Sequence, residues 1–249
     1  MIILKSLQEI EKIRKAGLVV AEVLREIRQL VKPGVSTLTL DEFAEQTIRA
    51  AGAKPAFKGY RGYPRTLCTS INDQVIHGIP SKDVVLKSGD LLSIDVGALV
   101  DGFYGDAAVT VPVEVVRPEA ERLMRVTEEA LSLGIAEAKP GNRLFDISSA
   151  IQRYVERNGF SVVREFVGHG IGRSLHEDPQ VPNFGERGRG PRIQSGMVLA
   201  IEPMVNAGGS KTVVQEDQWT AVTADGSLSA HFEHTVAILD DGPRVLTMR

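Results

Sequence analysis

Four carboxylates in apolar surroundings are the residues of this 249-residue chain whose types and spacing could do chemistry. Asp95 interrupts Leu91-Leu92-Ser93-Ile94-Asp95-Val96, and Asp106 stands before the alternating run Ala107, Val109, Val111, Val113. Both segments read as strands, and Asp101-Gly102 between them is a favoured hairpin turn. With a two- or four-residue loop the two aspartates share one face, directly opposite or on a diagonal, their Cβ atoms about 4.5–8 Å apart. A single aspartate there would be a solvated rim residue. Two on one face repel unless a proton or cation sits between them, so the pair points to a metal site.

The second half of the chain carries the same signal. Leu199-Ala200-Ile201-Glu202 matches Leu92-Ser93-Ile94-Asp95, and Glu233 precedes another strand-like run, Thr235–Leu239. Thirty-one residues separate the glutamates against eleven for the aspartates, so the second hairpin should hold a long insertion containing Trp219. Four acids brought together without cations would be very costly; two divalent ions are the economical expectation. Of the five histidines, His77, His169, His176, His231 and His234, each taken singly is ordinarily a hydrogen-bonded structural residue. His169 is the exception, because Gly168-His169-Gly170-Ile171-Gly172 lets the backbone approach closely. One imidazole beside four carboxylates suits Mn²⁺, Fe²⁺, Co²⁺ or Zn²⁺ better than Ca²⁺.

These side chains need a scaffold, and its elements recur. Ser6 and Glu9 form a capping-box pattern ahead of Leu7, Ile10, Ile13, Val20, Leu24, Ile27 and Val31 at helical spacing. Lys32-Pro33-Gly34 stops that helix, and Thr39 with Glu42 reads as a second capping box opening a shorter helix that ends at Gly52. Pro118 suits the first position of a third helix, running to Ala138 before Lys139-Pro140-Gly141. A fourth helix carries Ile147, Ile151 and Val155 on one face and ends at Gly159. The Lys-Pro-Gly stops, the glycines 52 and 159, Ser88-Gly89 with Ser195-Gly196, and the carboxylate strands all share one offset of 107 residues. The expectation is one pseudo-symmetric domain over residues 1–249, with copies of roughly 1–117 and 118–249.

Composition narrows the class. With 43% hydrophobic and 24% charged residues the chain is an ordinary globular protein, neither disordered nor collagen-like. The net charge of −3 argues against a nucleic-acid scaffold. No apolar run approaches a membrane span, the start is too short for a signal peptide, and a lone cysteine points to a reducing compartment. A soluble cytoplasmic protein is expected.

Asp95, Asp106, His169, Glu202 and Glu233, in that order and context, resemble the metal ligands of type I (bacterial-type) methionine aminopeptidases, and the likeness covers nearly the whole chain. It is carried by His169-Gly170-Ile171-Gly172, His176-Glu177-Asp178-Pro179-Gln180-Val181, Ile201-Glu202-Pro203, Glu233-His234-Thr235 and the segment Asn72–Pro80 around His77. Leu175 departs from the pattern, standing where many bacterial members have an aromatic residue. The resemblance implies an α+β pita-bread fold, two duplicated helix-helix-strand-strand halves around a curved, mainly antiparallel sheet. It implies two divalent ions bridged by Asp106 and Glu233, with Asp95 on one and His169 and Glu202 on the other. It makes Glu202 the proton shuttle, His176 a donor to the tetrahedral oxyanion and His77 a contact to the peptide. Tyr60, Tyr63, Cys68 and Trp219 match positions lining the methionine pocket, and His234 would orient the Glu233 strand. The implied substrates are N-terminal methionyl peptides and nascent chains with a small second residue, handled by a monomer.

Other readings are weaker. His176-Glu177 is followed by Gln180 rather than histidine, so the zincin pattern fails. The glycines 168, 170 and 172 lack the helix start a dinucleotide loop needs, and Cys68 with His77 lacks a third, orienting residue for a cysteine hydrolase. The basic stretch Gly185–Arg192 reads as a solvated loop, with contact to a ribosome or acidic partner as the alternative. A catalytically dead binding protein of the same fold is disfavoured because every ligand is present. A prolidase or aminopeptidase P relative would ordinarily carry an extra N-terminal domain.

Overall fold

A computed structural model describes residues 1–248. Four helices form where sequence chemistry puts them. The first, α1 (Leu7–Leu30), has Ser6 as N-cap with both capping-box bonds to Glu9, and buries Ile10, Ile13, Val20, Leu24 and Ile27 along one face. Fully burying one such side chain stabilises by about 1.5–3 kcal/mol. The second, α2 (Thr37–Ala50), begins three residues before the expected start. Its N-cap is Ser36, whose hydroxyl accepts from Thr39 N–H. Thr39 is thus the recipient of the cap, because Ser36 is the last residue with extended backbone. Helices α3 (Pro118–Glu137) and α4 (Leu144–Arg157) follow, with Pro118 at the expected position and Ile147, Ile151 and Val155 buried.

The strands Leu91–Val100 and Phe103–Pro112 pair over their whole length, and Asp101 and Gly102 make a two-residue turn with both φ angles positive. That is the geometry a twisted hairpin prefers. Register places Asp95 opposite Ala108 and Gly97 opposite Asp106, so the aspartates lie on a diagonal of one face. Alternation sends Leu92, Ile94, Val96, Ala107 and Val109 into the main core with α1 residues such as Val20 and Leu24, leaving the aspartates for the other face. Helix and hairpin touch backbone to backbone: a Cβ on Gly105 would lie 2.6 Å from Gly17 N.

In the second half a five-stranded antiparallel sheet runs Gly242–Val245, His234–Leu239, Val198–Ile201, Gly168–Gly170, Glu177–Val181. Strands Val198–Ile201 and His234–Leu239 pair from Ile201↔His234, and between them in sequence lies the expected insertion. It holds four short strands, Met204–Asn206, Thr212–Val214, Ala221–Thr223 and Ser229–His231. Two of these join the first half, since Ala221 pairs with Ile76 and the Ser229 N–H donates to the Asn72 carbonyl; just beyond them Glu233 exchanges backbone hydrogen bonds with Ala108. The left-handed φ values of Gly34, Gly52 and Gly89 (87°, 73° and 92°) recur 107 residues on at Gly141, Gly159 and Gly196 (92°, 78° and 91°). Among the described residues no helix is long and apolar enough to cross a membrane.

Candidate metal centre and active site

All four carboxylates reach one cleft, together with His77, His169 and His176 and the side chains of Tyr60, Tyr63, Cys68 and Trp219. Asp95 and Asp106 come from the hairpin face. Glu202 and Glu233 sit just past the last paired residues of their strands, where the chain leaves the sheet. His169 lies mid-strand on Gly168–Gly170, paired with Ala200 and Gln180. A Cβ on Gly170 would fall 2.2 Å from the Asp178 carbonyl oxygen, so the approach that places His169 needs its glycine neighbour.

The electrostatics are those of a site short of positive charge. Burial raises all four carboxyl groups, Asp95 to about 7. The charges of Glu233 and Asp95 push Asp106 further up, and those of Glu202 and Asp95 do the same to Glu233. Buried oxygens of Asp95 (Oδ1), Asp106 (Oδ1) and Glu233 (Oε1) have no hydrogen-bond partner. Desolvation depresses the imidazoles as well, His169 to about 3 and His77 and His176 to about 4, so they are neutral and free to act as donors or ligands at neutral pH. Asp106, His169 and Glu233 each offer one ligand atom within 4.8 Å of the others, and so do Glu202, His231 and Glu233. Unpaired buried oxygens, raised carboxyl pKa values and neutral imidazoles are the donor set a divalent cation fits.

The chain belongs to metallopeptidase family M24. The family model spans residues 11–240. A methionine aminopeptidase of Clostridium perfringens is 56% identical over 100% of this chain and 99% of its own length. The crystal structure of the Thermotoga maritima methionine aminopeptidase superposes with a TM-score of 0.99 at 50% identity, covering 100% of both chains. The fold is therefore the pita-bread fold. A prolidase of Pyrococcus furiosus shares that fold alone, at 24% identity and a TM-score of 0.78, and this chain covers 66% of it.

The remaining cleft residues divide by what holds them. The His176 ring is stacked on Tyr60, whose hydroxyl lies 2.9 Å from its Nδ1, and is 4.2 Å from the His169 ring. The next residue, Glu177, makes a buried 2.6 Å ion pair with Lys5, which ties the loop to the start of the chain. His77 takes a positive φ of 61° and packs edge-on against Phe166 and Trp219. Tyr63 spends its hydroxyl on the carbonyls of Leu67 and Gly78, presenting its ring to Trp219 at 5.1 Å. Cys68 pairs in register with Asp95, and burial raises its thiol pKa. Leu175 is buried in the same wall. Phe57 and Arg61 also line the cleft and were not legible in the sequence, since neither sits in a motif. His234 lies outside it, its Nδ1 2.8 Å from Thr247 Oγ1.

Proposed function

We propose that this chain removes the N-terminal methionine from peptides and nascent proteins, preferring a small second residue, by the concerted work of the five residues Asp95, Asp106, His169, Glu202 and Glu233. The chain is a metal-dependent aminopeptidase, as its family and its relatives are. The observation that carries the residue roles is the union, in one cleft of about 170 Å³, of unpaired buried carboxylates with an apolar wall. Co²⁺, Mn²⁺, Fe²⁺ and Zn²⁺ all suit these donors. Two divalent ions held there would acidify a water and polarise the scissile carbonyl.

The protein's own groups do the rest. Asp106 and Glu233, one from each half, would hold the ions together with Asp95, His169 and Glu202. Glu202, flanked by His169 Nε2 at 3.4 Å, takes the proton of the attacking water and hands it to the departing amine. With Tyr60 O–H assigned as donor to His176 Nδ1, the His176 proton resides on Nε2, where it can donate to the developing oxyanion. His77 contacts the peptide near the scissile bond. Tyr60, Tyr63, Cys68 and Trp219 form a slot for an unbranched thioether, a soft side chain that packs well on aromatic rings.

We read residues 1–249 as one domain of two related halves, a monomer working in the cytoplasm where nascent chains emerge. The Gly185–Arg192 loop keeps the alternative of a ribosomal or acidic contact: its backbone is pinned to the start of α4, while Arg187 and Arg189 are exposed. The test is cleavage of Met-Ala-Ser after loading with each metal. Release of methionine, with a bulky second residue spared, is expected. No cleavage with any of the four metals overturns the proposal.

A further inference from the structure

Behind the cleft lies a fourth buried ligand-type atom without a hydrogen bond, besides the three carboxylate oxygens: Nε2 of His231. This histidine is 2% exposed and held rigidly. Its N–H and carbonyl both bond the Thr110 hydroxyl at 2.9 Å, and it pairs with Met204 across the sheet. The ring is thereby aimed inward, with Nε2 3.7 Å from Glu202 Oε2. His169 Nε2 stands 3.4 Å from the other oxygen, Oε1. Glu202 is gripped between two imidazoles.

The two imidazoles differ in one respect. His169 borders the cleft and His231 does not, although Glu202 and Glu233 between them do. A ring behind the carboxylate is not placed to touch a substrate, and a cation in the cleft would meet Glu202 first. At 3.7 Å the ring Nε2 stands outside hydrogen-bond range of the nearer carboxylate oxygen, and an approach of about half an ångström would let it donate there. Ligating carboxylates are ordinarily held by such outer partners, whose loss costs about 10–100-fold in metal affinity or activity.

We propose that His231 is a positioning residue: Nε2–H donates to Glu202 Oε2 and holds the carboxylate so that Oε1 faces the cleft. This rests on the proposed roles of Glu202. It also separates His231 from His234, its neighbour three positions on, which bonds Thr247 instead.

The experiment compares wild type with His231→Leu, which cannot donate, His231→Gln, whose amide nitrogen can take the place of Nε2, and His231→Asn, whose amide falls one methylene short. Co²⁺ binding is followed by calorimetry and by the visible absorption of the bound ion, and Met-Ala-Ser cleavage by kcat and KM. In His231→Leu, Co²⁺ affinity or kcat should fall about 10–100-fold with KM within about twofold. His231→Gln should recover to within about threefold of wild type, and the Co²⁺ absorption bands should keep their positions in all variants, because the imidazole is not a ligand. If His231→Leu does not fold, His231→Asn carries the same expected loss. Wild-type affinity and kcat in His231→Leu, or in His231→Asn, overturn the proposal. A shift of the Co²⁺ bands in His231→Gln overturns it too, by making His231 a ligand. Failure of the wild type itself to bind Co²⁺ or cleave would strike the proposed function instead.

Discussion

The two halves deliver their carboxylates by different means. In the first, Asp95 and Asp106 ride on ten-residue strands paired without interruption through a two-residue turn. In the second, Glu202 and Glu233 stand off the ends of shorter strands, and the chain between them wanders through four further strands before returning. The rigid half supplies geometry at little cost in chain. The insertion of the interrupted half brings Trp219 to the cleft wall and His231 beside Glu202. Each half therefore brings two carboxylates to the centre, and the cleft wall is shared, with Tyr60, Tyr63 and Cys68 from the first half and Trp219 from the second.

That contrast can be broken most severely at the bridge between halves. Asp106→Ala should lose several kcal/mol of transition-state stabilisation, on the order of a thousandfold in kcat/KM, and should bind less Co²⁺ by metal analysis. Two-metal binding with unchanged affinity would refute bridging from the rigid half. In the interrupted half Glu202→Gln should cut kcat by about 10²–10⁴-fold, and full turnover would remove Glu202 from the chemistry. Trp219→Ala should raise KM about tenfold with kcat within about twofold, because it removes pocket area rather than a reacting group; a fall in kcat alone would contradict a pocket role.

A smaller effect concerns charge. Carboxyl groups whose folded pKa lies above the unfolded value stabilise while protonated and cease to as pH rises through the folded value. Melting of the metal-free protein should therefore fall between pH 6.5 and 8, through the value of about 7 for Asp95. The cleft histidines, depressed by burial, are already neutral in the fold there and add no opposing slope once the unfolded chain has lost its protons near pH 6.5. Metal-loaded protein should show no such decline; equal slopes would mean the carboxylates are satisfied without a cation. The least effect is local: Gly102→Ala, at φ 79°, should cost about 1–2 kcal/mol of stability and leave kcat unchanged.

Much of this was written in local sequence. The Ser6–Glu9 box, Pro118 at a helix start and Asp101-Gly102 at a turn each act through neighbours a few residues away, so their geometry is legible without the fold. Even Asp95 and Asp106 follow from one short hairpin. The α2 start was misplaced by three residues because Ser36 and Thr39 are both good caps, and only backbone conformation chooses between them.

By itself, then, the amino-acid sequence determined the elements, the four carboxylates out of place in apolar strands, and the likeness that ordered them into a family. Tertiary structure alone decided the inclusion of Phe57 and Arg61 in the cleft wall and the separation of His231 from His234. The physical reason is distance along the chain. His231 meets Glu202 across 29 residues, and Lys5 meets Glu177 across 172, through contacts that exist only once both sheets are assembled.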